Sequence, residues 1–382
     1  MQRLEQARAW VDVDARALRT NYETIRRAVG PDVAIIPMVK ADAYGLGAMR
    51  VIDVLDPLGP WGYGVAAAAE GAALREAGVA RPILVTSPLP PDDVPRAAAA
   101  GLTASISDLA ALGRWRDAAR AHGPLDFHVE VDTGMGRAGF DWREIASWAP
   151  VVAGDGSGAA RWSGIFTHMH SADAGPAAAT QTQWGRFQDA LAQLPVSRED
   201  LMVHVSNSAV SLRWPEYALD AVRPGIFLYG GRVAAEGAVP PAPVPAAVVS
   251  VRARVILVRD VPPGSSVGYG ATHVARGWER WATLSIGYGD GLPRALGNQG
   301  HALLHGKKVP LIGRISMDMC VVDITDRTDA TAGDVATLIG SDGDAGITVD
   351  EVAQQVGTIS YEILTGLTQR LPRVVRNTHA AE

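Results

Sequence analysis

Short apolar runs alternate with helix-like stretches through the first 225 residues of the chain. The stretches between the runs are rich in Ala, Leu and Arg, and several open with Ser, Thr or Asp and close with glycine, as helices do. Strand and helix alternating eight times predict a (β/α)8 barrel of parallel strands, a TIM-type fold of the α/β class. The eight runs span residues 33–39, 61–65, 82–86, 102–107, 126–131, 163–168, 201–206 and 221–225.

A second domain is expected after the barrel. The composition changes to Ala, Pro and Gly over residues 233–247, which indicates a linker. Beyond it, short apolar runs are separated by Gly and Pro turns without helical crossovers, so this part should be mostly β. We therefore expect a barrel at 12–240 and a mostly-β C-terminal domain at 241–382, which also takes a strand from residues 1–11.

Composition argues against several kinds of partner. The 382 residues carry a formal charge of −6 and lack the basic excess that nucleic acids or anionic membranes attract, so neither is an expected partner. No apolar run is long enough to span a bilayer, and residues 1–10 lack the apolar core of a signal peptide, so we expect a cytoplasmic protein. Cys320 is the only cysteine, which leaves no possibility of an intrachain disulfide.

Lys40 ends the first apolar run and is followed by a turn at Tyr44-Gly45. In (β/α)8 enzymes the chemistry is carried out at the carboxyl ends of the strands, which is where this lysine should lie. A lysine in that position can form an imine with a carbonyl compound. The segment alone leaves open the alternative of an ordinary surface lysine.

The fifth run predicts how polar groups reach the barrel interior. Its period of two places Phe127, Val129 and Val131 outward and turns His128, Glu130 and Asp132 inward. The glycine-rich loop that follows can bring Arg137 over the mouth, where a guanidinium suits a substrate carboxylate. An arginine merely paired with Glu130 or Asp132 remains an open alternative.

Polar groups also follow the last two runs. Asn207 and Ser208 follow the seventh, while Arg223 and Gly225 end the eighth and Ile226 follows it. Barrels often bind phosphate at this position. A lysine at the first strand and a phosphate cradle at the last two together predict pyridoxal 5′-phosphate (PLP) across the mouth.

Seven segments, in order, resemble the motifs of the alanine racemase family, and the resemblance covers nearly the whole chain. That family is a PLP-dependent barrel joined to a β domain and works as a head-to-tail homodimer, which agrees with the architecture expected above. The matching segments are residues 39–45 (VKADAYG), 131–137 (VDTGMGR), 223–226 (RPGI), 268–270 (GYG), 287–291 (GYGDG), 313–318 (GRISMD) and 360–362 (SYE).

The resemblance implies an isomerase that interconverts L-alanine and D-alanine through a PLP external aldimine by a two-base mechanism, and supplies D-alanine for peptidoglycan. Lys40 would be the Schiff-base lysine and Tyr269 the second base, donated to the other subunit's site. Arg137 and Met317 would contact the small amino-acid substrate. The remaining cofactor-binding positions implied are Tyr44, His168, Ser208, Arg223, Gly225, Ile226 and Tyr361.

Three departures from the family pattern stand out. Glu130 occupies a position where some members carry a carbamylated lysine, so a permanent carboxylate could orient Arg137 here. Leu46 replaces a histidine and Thr86 a leucine. Whether alanine, serine or a broader set of amino acids is preferred stays open at this point.

Two other classes of function remain as alternatives. A non-catalytic PLP carrier would share the lysine and the phosphate cradle, although the β domain and Tyr269 argue against it. A metal-dependent barrel hydrolase would leave Lys40 and Arg223 unexplained. Its candidate ligands are Asp132, His168, His170, Asp173 and His204.

Overall fold

The computed structural model describes residues 7–154, 158–173, 177–234, 238–326 and 329–378. The ends of the expected C-terminal domain and N-terminal strand, residues 379–382 and 1–6, lie outside the described residues. The strands are β1 (Ala9–Asp14), β2 (Ala34–Ile35), β3 (Tyr63–Val65), β4 (Ile83–Pro88), β5 (Thr103–Ile106), β6 (Leu125–Asp132), β7 (Phe140–Asp141), β8 (Ala160–Phe166), β9 (Met202–Ser206), β10 (Ala221–Val222), β11 (Val249–Val261), β12 (Ser266–Val267), β13 (His273–Val274), β14 (Glu279–Leu284), β15 (His301–Leu304), β16 (Lys307–Ile312), β17 (Cys320–Asp323), β18 (Val335–Asp342), β19 (Ala345–Ile347) and β20 (Arg373–Arg376). The helices are α1 (Ala15–Val29), α2 (Lys40–Gly45), α3 (Ala48–Leu55), α4 (Ala68–Glu76), α5 (Val94–Ala99), α6 (Leu109–His122), α7 (Ile145–Ala153), α8 (Ala177–Leu191), α9 (Ser208–Arg213), α10 (Val349–Val356) and α11 (Ser360–Gly366).

Eight parallel strands form the barrel in the order β2-β10-β9-β8-β6-β5-β4-β3. The two ends of this sheet meet, because Val39 N donates to Gly64 O (2.8 Å) and Gly64 N donates to Pro37 O (2.9 Å). Each of the eight apolar runs contributes one strand. The expected (β/α)8 barrel is therefore confirmed.

The first barrel strand is shorter than its apolar run. Regular pairing in β2 stops at Ile35, and Pro37 has no N–H to donate to a ladder. Hydrogen bonds continue past it in a broken pattern, with Ile36 N donating to Val222 O and Met38 N to Pro224 O, each at 2.8 Å. The run thus still guides the chain to Lys40 at the mouth.

Helix α1 illustrates how local sequence sets element ends. Asp14 accepts a hydrogen bond from Ala17 N (2.9 Å), which caps the helix, and Gly30 adopts a positive φ of 93° just after its last residue. Leu18, Tyr22 and Ile25 lie on its buried face at helical spacing.

The second sheet has the order β19-β18-β15-β16-β17-β14-β11-β1-β20, with a further pairing of β11 and β18. The N-terminal strand β1 belongs to it, antiparallel to β11 and parallel to β20. Only two helices, α10 and α11, accompany these strands among the described residues, so the second part of the chain is mostly β as expected. No helix in the described ranges is long and apolar enough to cross a membrane.

Candidate active site

A cavity of about 240 Å³ opens at the mouth of the barrel. Its lining comes from segments that follow different strands, as expected for the carboxyl ends of a parallel barrel. Nine of the residues singled out from the sequence line it: Lys40, Tyr44, Arg137, His168, Ser208, Arg223, Gly225, Ile226 and Tyr361. Glu130 is also part of the wall, together with Met38, Thr86, Ser87, Phe166 and Asn207.

Lys40 begins α2, a six-residue element whose backbone is not that of a right-handed helix. The next four residues, Ala41 to Tyr44, all have φ between 52° and 56° and ψ between 37° and 54°, which makes a left-handed turn. None of the four is glycine, and each L-residue in this conformation costs about 1–2 kcal/mol. Surrounding contacts must therefore hold the turn in place. Among these, Ala43 N donates to Val39 O (2.8 Å) and Ala48 N donates to Asp42 Oδ1 (2.7 Å).

The environment of Lys40 favours its neutral form. Burial lowers the pKa of Lys40, and the positive charges of Arg137 and Arg223 lower it further, while Glu70 acts in the opposite direction. A lysine with a lowered pKa has more of the free amine that can attack a carbonyl or accept a proton near neutral pH.

Arg223 is buried, with 4% of its surface exposed, and donates to neutral acceptors. Its guanidinium donates to Thr167 O (2.9 Å), to His204 O (3.0 Å) and to Nδ1 of His204, and lies 5.0 Å from the centre of the Phe166 ring. Burial lowers the pKa of Arg223 to about 10, so it stays protonated at neutral pH.

Two buried histidines continue this chain of hydrogen bonds. Because a guanidinium can only donate, Nδ1 of His204 must be the acceptor, and the proton of neutral His204 then lies on Nε2. That nitrogen is 2.8 Å from Nδ1 of His128, which accepts in turn. Hydrogen bonding thus fixes the tautomers of both rings and holds Arg223 in one orientation.

The segments that follow β9 and β10 present groups suited to a phosphate. Ser208 Oγ accepts from Gly225 N (2.8 Å), and within the described part of the chain Ile226 N has no acceptor. Gly225 has no Cβ, and one placed there would lie 2.2 Å from the Tyr44 hydroxyl. Tyr44 therefore approaches the cradle closely, with its ring 5.9 Å from that of Tyr361.

The tyrosines and the histidine of the wall are held neutral. Burial raises the pKa of Tyr44 and raises that of Tyr361 to about 12, so both keep a proton to donate. Burial, reinforced by Arg223, Arg137 and Lys40, lowers the pKa of His168 to about 3.

Glu130 is the carboxylate of the cavity wall and is 4% exposed. It accepts from Ser107 Oγ (3.2 Å). Burial raises the pKa of Glu130, whereas Ser107, Arg223 and Arg137 oppose the rise. Within the described residues Arg137 forms no ion pair with Glu130 or Asp132, so the simple pairing left open from the sequence is absent. Asp132 instead accepts from Gly134 N (2.8 Å) in its own loop.

Tyr269 and Met317 do not line this cavity. They are 69% and 51% exposed, and Tyr269 lies between β12 and β13 while Met317 lies between β16 and β17. Tyr288 and Met319 are exposed beside the segment that carries Met317. Tyr288 N donates to Ser316 O (3.0 Å), and Ser316 N donates to Met319 O (2.9 Å). We call Tyr269, Tyr288, Met317 and Met319 the exposed patch.

The metal-site alternative lacks a cluster of ligands. His170 is exposed and bonded to Ser171 Oγ, and His204 is occupied by Arg223 and His128. Throughout the described ranges no group of three or more His, Cys, Asp or Glu side chains is arranged to hold a metal ion.

Comparison with known proteins decides the family. A family model described as "Alanine racemase, N-terminal domain" matches residues 13–233, and one described as "Alanine racemase, C-terminal domain" matches residues 248–375. The chain belongs to the alanine racemase family. It is accordingly a PLP-dependent isomerase.

Individual members of the alanine racemase family match over almost the full length. The alanine racemase of Halothermothrix orenii is 36% identical over 96% of this chain and 97% of its own. The Bacillus anthracis enzyme with bound L-Ala-P has a TM-score of 0.87 and 31% identity, covering 98% of this chain and 97% of the other. The Bartonella henselae enzyme with covalently bound pyridoxal phosphate has a TM-score of 0.86 and 31% identity, covering 97% of this chain and 100% of the other.

Some lining residues of this alanine racemase carried no signal in the sequence. Phe166 lies in a run already assigned to a strand, and its contact with Arg223 depends on two distant segments meeting. Met38 likewise looks ordinary in isolation, whereas Asn207 belongs to the polar cluster that follows the seventh run. Thr86 ends the third run and was noted as a departure from the family pattern, and Ser87 follows it, so the position at a strand's carboxyl end was the available clue for Ser87.

We predict that acid destabilises the protein through its buried histidines. Burial lowers the pKa of His128 to about 4 and that of His204 well below 6.5, so between about pH 6.5 and 4 the unfolded chain binds protons that the folded protein does not. The apparent Tm should therefore fall over this window. Scanning calorimetry of His128→Gln should show a shallower decline, while the exposed His122→Gln keeps the original slope. Identical slopes for all three proteins would contradict this account.

Proposed function

We propose that this enzyme interconverts L-alanine and D-alanine with PLP held at Lys40, by a two-base mechanism that Tyr269 of the partner subunit completes. The observation that carries the proposal is that one cavity contains both a lysine with a lowered pKa and a cradle of hydroxyl and N–H donors. Relatives named alanine racemase favour alanine over serine or a broader set of amino acids. The Bacillus anthracis relative with bound L-Ala-P points the same way.

The donor set fits PLP. The unpaired N–H of Ile226 and the hydroxyls of Tyr44, Ser208 and Tyr361 would hold its phosphate, Arg223 would face its ring, and Lys40 would hold its aldehyde carbon. When bound, the cofactor withdraws electrons from Cα of the amino acid and so acidifies the Cα–H bond. The cofactor reported as covalently bound in the Bartonella henselae relative supports this assignment.

Proton transfer would rest on two groups at opposite faces of the substrate. The neutral amine of Lys40 removes or returns the Cα proton on the face from which it approaches, that of the D-enantiomer. Inversion requires a second acid/base on the other face, and we assign it to Tyr269 of the partner subunit for the L-enantiomer. Arg137 would bind the substrate carboxylate with two parallel hydrogen bonds, and Met317 would contact the substrate from the partner's side.

A homodimer is proposed because Tyr269 lies outside the cavity of its own chain. Large exposed apolar groups on a protein surface often mark an interaction site, and the exposed patch has two tyrosines and two methionines. In a head-to-tail dimer each patch would close the other subunit's cavity.

The remaining assignments are proposals of the same kind. We assign residues 12–240 to the barrel domain and 241–382, with the strand at 1–11, to the second domain, since the chain passes from β10 to β11 between them. We propose a cytoplasmic enzyme that supplies D-alanine for peptidoglycan. The other alternative, a non-catalytic PLP carrier, gains no support from the exposed patch.

The racemase activity has a direct test. Purified protein incubated with L-alanine should abolish the circular dichroism signal of the amino acid, and prior reduction with borohydride should prevent this by fixing PLP on Lys40. L-Serine measured in parallel ranks the substrates. Persistence of the signal with untreated holoenzyme would refute the activity.

Mixed dimers test whether two subunits share each site. We expect Lys40→Ala and Tyr269→Phe each to lose turnover, because each removes one of the two proton carriers. Dissociating and reassembling equal amounts should restore about a quarter of the wild-type activity, since half the dimers are mixed and each has one intact site. No recovery, with mixed dimers demonstrated by mass spectrometry, would place both groups in the same subunit's site.

Glu130 should act on substrate binding through Arg137. Glu130→Gln removes a negative charge near both arginines while keeping the side-chain shape, so we expect the KM for alanine to rise on the order of 5-fold with a smaller change in kcat. Glu144→Gln, at an exposed position, is the matched control. Unchanged KM and kcat in Glu130→Gln would remove Glu130 from this role.

A further inference from the structure

Glu70 joins two barrel segments at the point where their main-chain pairing ends. Before that point the first and second strands are linked by Gly64 N donating to Pro37 O and Val39 N donating to Gly64 O. Beyond it, the segment after the first strand offers Ala41 N–H, and the segment after the second offers the N–H groups of Ala66 and Ala67. Two donors cannot bond to each other. The Glu70 carboxylate lies between them.

Both oxygens of Glu70 are used. Oε1 accepts from Ala41 N (2.6 Å), while Oε2 accepts from Ala66 N (2.8 Å) and Ala67 N (3.2 Å). Hydrogen bonds from N–H groups to an ionised carboxylate are stronger than those between neutral groups. One side chain thus replaces the ladder bonds that the diverging strands no longer form.

The bond to Ala41 bears directly on Lys40. Ala41 is the first residue of the left-handed turn, with φ 52° and ψ 47°, and its N–H belongs to the peptide unit that joins it to Lys40. Strained backbone persists only where neighbouring contacts over-determine it. Holding this N–H fixes the orientation of the Lys40 main chain, and therefore the direction in which its Cα–Cβ bond points.

We propose that Glu70 is a positioning residue that, by bridging Ala41 to Ala66 and Ala67, holds the left-handed turn and aims the Lys40 side chain into the cavity. This inference rests on the proposed role of Lys40 in catalysis. Glu70 itself touches neither substrate nor cofactor, and it does not line the cavity that holds Lys40.

The substitution Glu70→Gln tests the bridge, because it keeps the shape and replaces one oxygen with an NH2 group that faces N–H donors. In the holoenzyme we expect amide hydrogen exchange at Ala41 or at Ala66 to become about tenfold faster. At equal PLP content kcat should fall on the order of 10-fold, since small misplacements of a reacting group are costly, with the KM for L-alanine within about twofold. Glu76→Gln, exposed on the same helix α4, is the matched control and should leave amide exchange, kcat and KM unchanged.

Several outcomes would overturn the inference. The first is that Glu70→Gln shows normal exchange at Ala41 and Ala66 and a normal kcat. The second is that Glu70→Gln has a lower Tm but an unchanged kcat per bound PLP, which would indicate a merely structural role. Should Glu70→Gln not fold, Glu70→Asp provides the second variant. Aspartate retains two carboxylate oxygens but is one methylene too short to reach both segments. We therefore expect faster exchange and a lower kcat, each by a smaller factor than in Glu70→Gln.

Lys40→Ala separates this inference from the proposed function. If Lys40→Ala still racemises alanine, the proposed function fails, whereas faster exchange at Ala41 in Glu70→Gln would still establish the bridge. If Lys40→Ala is inactive and Glu70→Gln behaves as wild type in exchange and turnover, the inference fails and the proposed function stands.

Discussion

The hydrogen bonds that close the barrel between residues 35–39 and 61–64 are the constraint on which the site depends. Trp61 N donates to Ile35 O (2.9 Å), and the pairing continues through Pro37, Val39 and Gly64. The first strand pairs on its other side with the eighth, Ala34 with Ala221 and Ile35 with Val222, so Lys40 and Arg223 face one cavity although 183 positions separate them in sequence. A sheet left open between the first two strands would place Lys40 and the cavity wall at Thr86 and Ser87 near opposite edges.

Charge in the cavity is unbalanced in a way that suits anionic ligands. The charged side chains of the described wall are Lys40, Arg137 and Arg223 against Glu130. The hydrogen bonds of Arg223 go to carbonyl oxygens and a neutral imidazole, which satisfy its donors without cancelling its charge. In a site partly shielded from water this excess of positive charge attracts a phosphate and a carboxylate. It also helps to keep the amine of Lys40 neutral.

The sequence predicted what depends on repeated patterns or on strand ends. Period-two alternation placed His128 and Glu130 inside the barrel, and the position after a strand placed Arg137 and Ser208 at its mouth. The sequence did not predict the left-handed turn, because Ala41 and Ala43 have no intrinsic preference for positive φ. The conformation arises from contacts with residues distant in the chain. Sequence spacing also gave no sign of Glu70, since a glutamate in the first turn of a helix is common.

The turn after Lys40 explains why the second part of the chain matters to a site in the barrel. Gly45 has φ 82°, and a Cβ there would lie 2.7 Å from Leu364 O, so the turn packs directly against the backbone of α11. Arg373, in β20 of the second sheet, donates from Nε to Gly45 O (2.8 Å), and Gln369 donates to Asp42 (3.3 Å). The strain of four left-handed residues is thus opposed from two sides, by Glu70 within the barrel and by α11 and β20 beyond it. A barrel without these contacts would keep only the set that Glu70 provides, so the β domain does more than carry the exposed patch.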